Sequence, residues 1–250
     1  MKEILAVTSS LLLGMGLLML GAGLQGTLIG VRATLEGFPT VVTGAVMACY
    51  YVGYLVGSLA APRLVQRVGH IRVFAAFSSL AAASILLQGE FVHPVSWATL
   101  RAASGFCFAG IYVVAESWLN DRADNRTRAA LLGVYMAVIY IGLGFGQFLL
   151  NLGDPLTPTL FVLVAVLISL AVVPISLTAQ HAPELPVPQE VRLAELFKLS
   201  PLGVLGVAFS GAASGTVFAI GPVYAASSFD SARISIFMAL GILTAVAAEL

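Results

Sequence analysis

The chain has 250 residues, 59% of them hydrophobic and 10% charged, with a mean hydropathy of +1.00. Soluble domains carry roughly 25% charged residues, so the composition excludes a water-soluble globule and indicates an integral membrane protein. Lys and Arg number 12 against 12 Asp and Glu, and this zero net charge argues against nucleic acid as a partner.

The charges punctuate the sequence, and the gaps between them measure membrane helices, each of which needs about 20 apolar residues to cross the hydrocarbon core. After Lys2 and Glu3 the apolar run from Ile4 to Val31 is 28 residues long, well beyond the roughly 7–15 of a signal-peptide core. It is expected to be a retained first helix. The second span lies in Gly37 to Pro62 (26 residues) and the third in Val73 to Gly89 (17 residues). A fourth crosses between Phe91 and Asn120, with Arg101 and Glu116 inside it. Ala129 to Gly153 gives the fifth, and the sixth is expected from about Thr159 to Leu177. The 31 uncharged residues between Lys198 and Asp230 supply a seventh, and an eighth begins near Ser231 and is still apolar at Leu250. Runs of this length without alternation are unlike barrel strands, so the expected class is an all-α membrane protein.

Positive charge is asymmetric. With the N-terminus inside, the cytoplasmic segments hold Lys2, Arg63, Arg67, Arg72, Arg122, Arg126, Arg128, Arg192 and Lys198, whereas the far side holds only Arg32 and Arg233. The excess of basic residues in cytoplasmic loops sets orientation, so the expected N-terminus is cytoplasmic. Between the sixth and seventh spans, prolines 183, 186 and 188 precede a stretch with apolar residues at 193, 196, 197 and 199, read as a short interfacial amphipathic helix. The expected organisation is a six-helix bundle over 1–178, a cytoplasmic linker over 179–200, and the start of a second bundle over 201–250, with further helices expected beyond. Gly26-Thr27 superimposes on Gly215-Thr216 at an offset of 189, pairing the first helix with the seventh. Parallel six-helix repeats are a known transporter plan.

Arg101 is the most informative residue. A charge near the bilayer centre costs at least about 2.5–3.5 kcal/mol, so such a residue faces the bundle interior and seeks a partner. Helical spacing sets Arg101, Gly105, Phe108, Tyr112 and Glu116 along one stripe. Glycine pairs at i,i+4 (Gly26/Gly30, Gly53/Gly57, Gly142/Gly146, Gly211/Gly215) allow close helix approach, whether for packing or for sliding. Cys49 and Cys107 read as small apolar residues, and His70, His93 and His181 as solvated; no metal site and no cofactor motif follows from any of them.

Between the second and third spans the text Pro62-Arg63-Leu64-Val65-Gln66-Arg67-Val68-Gly69-His70-Ile71-Arg72 resembles the major facilitator superfamily. That family carries a cytoplasmic loop of the form G-x-L-x-D-R-x-G-R-R between the same two helices. Leu64, Arg67 and Gly69 match it, Pro62 replaces the leading Gly, and Gln66 replaces the Asp. The family's R-x-x-x-G pattern of helix four is met by Arg101 and Gly105. Glu36-Gly37-Phe38-Pro39, Tyr50-Tyr51-x-Gly53, Gly69-His70-Ile71-Arg72 and Glu116-Ser117-Trp118-Leu119-Asn120 are similar to the bacterial YcaD-like branch. Gly142 and Gly146 lack the proline of the antiporter signature, so no drug-antiporter assignment follows.

The resemblance implies a transporter of a small solute in a bacterial inner membrane, working by alternating access within the lipid bilayer, with protons as a candidate coupling ion. It implies a solute path along Gln25, Tyr50, Tyr51, Arg101 and Tyr112, and a cytoplasmic gate at Arg63, Arg67, Gly69 and Arg72. Arg32, Glu36 and Glu116 are candidate charge partners or proton carriers, although Glu116 lies about 22 Å along the helix from Arg101. Two rival readings stand beside it. Asn120-Asp121-x-x-Asp124 spells the N-D-x-x-D of membrane prenyltransferases, which hold magnesium on a diphosphate, but Arg128 stands where a further Asp is needed. The other rival is a membrane protein that senses and does not transport.

Overall fold

The computed structural model describes residues 2–124, 126–178 and 193–249. Among them are ten α-helices, one 3₁₀ turn and no strand. α1 (Lys2–Leu35), α2 (Thr40–Val68), α3 (His70–Glu90), α4 (Pro94–Arg122) and α5 (Arg128–Phe148) follow one another through short corners. After the 3₁₀ turn Leu149–Leu152 come α6 (Thr159–Leu170), α7 (Val172–Ser176), α8 (Leu193–Leu199), α9 (Pro201–Ser228) and α10 (Ser231–Glu249). Seven stretches are long and apolar enough to cross a membrane, the last being Pro201–Ser228, and Ser231–Thr244 is a shorter apolar helix. Of the expected connector the structure describes α8 (Leu193–Leu199); prolines 183, 186 and 188, Arg192 and His181 lie outside the described residues.

Two helix pairs form the frame, α2 against α4 and α1 against α5, with α3 and α6 packed beside them, α9 on α1 and α10 on α5. In lipid there is no hydrophobic drive between helices, so close van der Waals fit and small residues must hold them. α2 shows the division of labour. Its Gly53 and Gly57 are buried against α4, while Val52, Leu55, Val56 and Leu59 form an exposed apolar row at helical spacing that suits lipid contact. α1 is the most enclosed helix, with Met15, Leu18, Met19, Leu24 and Leu28 fully buried.

Two expectations are corrected. The stretch from Pro62 to Arg72 is not a loop. α2 continues through Pro62 to Val68, and the whole reversal is made at Gly69, whose φ of 88° a β-carbon would resist. Arg63-Leu64-Val65-Gln66-Arg67 are competent helix formers, and Pro62 lies on an exposed face of the helix. His70 is not solvated. The corner at Gly69 makes it the first residue of α3, fully buried, with Nε2 3.1 Å from Ser117 Oγ and its ring against Trp118. The sixth span runs Thr159–Ser176, as expected, with a local break at Ala171 between α6, which ends at Leu170, and α7, which starts at Val172. Pro174 has no N–H to offer the Leu170 carbonyl, so the ladder breaks one turn ahead of it.

The turn before α5 is built by Asp124, whose Oδ1 accepts from the Thr127 hydroxyl (2.7 Å), the Thr127 N–H (2.8 Å) and the Arg126 N–H (3.0 Å). Those bonds, the Thr127 hydroxyl first, hold the carboxyl below its ordinary range. A depressed carboxylate contributes its stability above its unfolded pKa and loses it as pH falls through the folded one. Protection of the Arg126 and Thr127 amides, taken relative to the intrinsic exchange rate at each pH, is therefore expected to fall only below about pH 4, and Asp124→Asn should leave that protection low at every pH. Protection in the native protein that does not change on acidification would refute the assignment.

Candidate functional site

The packing of α1, α2, α4, α5 and α9 leaves a cavity of about 290 Å³, lined mainly by Gln25, Tyr50, Tyr51, Tyr54, Arg101 and Tyr112, with Phe108, Leu143, Phe218 and Ala219 completing its wall. All five residues expected to lie along the path therefore meet at one place. They arrive from three helices: Gln25 late on α1, Tyr50 and Tyr51 midway along α2, and Arg101 and Tyr112 three turns apart on α4.

Arg101 enters α4 about 10 Å from its start and is 6% exposed. Its Cζ sits 4.5 Å from the centroid of the Tyr50 ring. Among the described residues its guanidinium makes no hydrogen bond and no ion pair; its Nε is buried and unpartnered. A cation–π contact returns about 0.5–2 kcal/mol, less than the insertion cost of at least about 2.5–3.5 kcal/mol. The cation is thus only partly compensated by the protein.

Its partner Tyr50 belongs to an aromatic cluster. The Tyr50 ring lies 5.5 Å from Tyr51, 6.1 Å from Tyr54 and 6.2 Å from Phe108, and Tyr54 is 6.2 Å from Tyr112. Tyr112 Oη donates to Met19 Sδ at 3.2 Å, and Tyr51 Oη to the Gly215 carbonyl of α9 at 3.4 Å. Gln25, 2% exposed, has a buried Nε2 without a partner. Among the described residues no carboxylate lines the cavity. Its polar chemistry is one cation, one amide and four phenols on an apolar wall.

The remaining candidate residues lie elsewhere. Arg32 and Glu36 pair with each other at 2.7 Å at the end of α1, and Arg32 Nη1 donates to the Pro155 carbonyl at 2.8 Å, fastening α1 to the α5–α6 connection. Glu116 is exposed, outside the cavity, and without an ion pair among the described residues; the structure does not bring it to Arg101. Arg63, Arg67 and Arg72 are exposed around the Gly69 corner. Of the aspartate pattern, Asp124 is engaged in its turn, Asp121 lies 3.9 Å from Arg122, and the Asn120 amide donates to the Glu116 carbonyl.

Some site residues were not singled out from the sequence. Tyr54 was overlooked although its i+4 spacing from Tyr50 sets it on the same face. Gln147 of α5 donates to the Gly23 carbonyl (2.8 Å) and the Leu143 carbonyl (3.1 Å) and accepts from the Thr27 hydroxyl, a buried polar junction between α1 and α5 beside the cavity. Phe218 and Ala219 reach the cavity only because α9 packs on α1.

Residues 7–248 match the family model for the Major Facilitator Superfamily. An uncharacterised MFS-type transporter, YcaD, of Escherichia fergusonii is 30% identical over 216 residues, covering 86% of this chain and 56% of that protein. Ent638_1421, an uncharacterised MFS-type transporter of Enterobacter sp., is 30% identical with the same coverage. The chain thus spans about half the length of the curated relatives it matches. Among solved structures, the nucleoside transporter NupG superposes with a TM-score of 0.73 at 17% identity, over 95% of this chain and 64% of that one. A bacterial homologue of the human lysosomal transporter Spinster, inward-facing and unoccupied, gives a TM-score of 0.69 at 15% identity, over 92% of this chain and 58% of that one. With a family match running nearly end to end and the fold shared with solved transporters, this multi-pass membrane protein belongs to the Major Facilitator Superfamily.

Proposed function

We propose that the protein carries a small solute across the bacterial inner membrane by alternating access, with its N-terminus in the cytoplasm. The observation that supports this reading best is the cavity between helices, where a buried arginine, an unpartnered amide and four tyrosines converge. A helix bundle built only to pack would fill such a space with apolar side chains. Gln25, Tyr50, Tyr51, Arg101 and Tyr112 line the path in this reading, and Arg63, Arg67, Gly69 and Arg72 form the cytoplasmic corner that gates it. Residues 1–178 act as one six-helix unit, 179–200 as the connector, and 201–250 open the second unit. Arg32 and Glu36 serve as a fastening at the far side, which leaves Glu116 as the carboxylate available to carry a proton. Nucleic acid has no part in this reading.

A transporter is favoured over a prenyltransferase because Asp124 is bound within its own turn and Arg122 adjoins Asp121. Both readings are tested in vesicles reconstituted with the protein. Accumulation of at least one solute from a labelled panel of acids, sugars, nucleosides and amines is expected under an imposed gradient. Absence of movement for every member, or magnesium-dependent prenyl transfer, would overturn the proposal.

A further inference from the structure

We propose that the solute held in this cavity is a small aromatic monoanion, an aryl carboxylate in the simplest case. The inference rests on the reading of the cavity as the solute path and goes on to its chemistry. Among the described residues Arg101 is the one charged residue in the lining, and no acid neutralises it. Its planar guanidinium suits the two oxygens of a carboxylate. The unpartnered Nε2 of Gln25 is a further N–H donor in the same wall, and a carboxylate accepts while offering no competing donor. One cation calls for one negative charge; a dianion would bring a second charge into an apolar site with nothing to meet it.

The rest of the lining specifies the body of the solute. Tyr50, which stacks on the cation, lines the same cavity as Tyr51, Tyr54, Tyr112 and Phe108, and their rings pair with a flat ring and offer few groups to a sugar or polyol. An amine is disfavoured by Arg101, and a neutral aromatic leaves the cation unpaired. The cavity of about 290 Å³ sits at the lower end of the ~300–1,000 Å³ range of small-molecule sites, a size for one ring and its acid.

Calorimetric titration of the purified protein with benzoate, benzamide, acetate and benzylamine tests the assignment. Benzoate is expected to bind roughly ten- to a hundredfold more tightly than benzamide, the range of a charged hydrogen bond, with acetate weaker and benzylamine absent. Arg101→Gln should erase the preference for benzoate over benzamide. Should that variant fail to remain monodisperse, Gln25→Glu, which sets a carboxylate in the same wall, should weaken benzoate by a larger factor than benzamide. Equal binding of benzoate and benzamide, preference for benzylamine, or no binding by any of the four would overturn the inference. Labelled benzoate in vesicles separates the two claims: selective binding without movement leaves the anion site standing and removes transport. Movement of a neutral solute that benzoate does not inhibit leaves transport standing and removes the anion site.

Discussion

Arg101→Ala is expected to reduce solute movement by roughly a hundredfold or more, the upper range for losing a charge-assisted contact, while the protein still inserts and folds. The asymmetry comes from what Arg101 does not do. Among the described residues it closes no ion pair and makes no hydrogen bond, so its removal orphans no acid. Only the contact with the Tyr50 ring is lost, and the cost of holding a cation among apolar helices disappears with it. Thermal unfolding in detergent should therefore be unchanged or slightly raised, in parallel with uptake that falls to background. Arg101→Lys should recover part of the activity, since it keeps the charge without the planar fork. Unaltered uptake by the alanine variant would remove Arg101 from the mechanism.

The opposite profile is expected at the seam between α2 and α4. A β-carbon on Gly53 would run into the Ala102 carbonyl, one on Gly57 into the Phe106 carbonyl, and one on Gly105 into the Tyr50 carbonyl. These obstacles are backbone, which cannot rotate aside as a side chain can. Overpacking costs about 1–3 kcal/mol where neighbours can adjust; here Gly105→Ala should reach or exceed the upper end, and Gly105→Leu should prevent stable folding. Gly133 and Gly241 have open space where a β-carbon would go. Alanine there should be neutral or stabilising, by up to about 1 kcal/mol of helix propensity. Melting followed through the buried Trp97 and Trp118 distinguishes the sites. If Gly53→Ala, Gly105→Ala and Gly133→Ala melt alike, the seam is not the tight contact described.

Much of this architecture is legible in the sequence because lipid imposes a simple rule: long uncharged runs must be helices. Arg101 stands out for the same reason, as a charge where none is cheap. What escapes a linear reading depends on which helices are neighbours. Gln147 is an ordinary polar residue near a helix end until α5 meets α1 and it finds Gly23 and Thr27. His70 reads as a loop residue until Gly69 turns the chain so sharply that it faces Ser117. Arg63 and Arg67 suggest a loop by their charge, yet α2 extends past the apolar run with its basic residues on the exposed side. Tyr54 belongs to the site by spacing alone, and only the rings around it show that the spacing matters.

The glycine seams also determine how the cavity can change size. Gly53, Gly57 and Gly105 bind α2 and α4 into one plank, and Gly23, Gly142 and Gly146 bind α1 and α5 into another. Arg101 and the Tyr50 ring both ride on the first plank, so a shift of one plank against the other leaves the cation with its aromatic partner. Gln25 rides on the second. The two planks touch each other far less than each touches itself, and the cavity lies along the line where they part. Dilation along that line breaks neither plank and moves the amide relative to the cation. In the proposed transport reading, the distance between Gln25 and Arg101 is therefore the natural coordinate for tightening and releasing the solute.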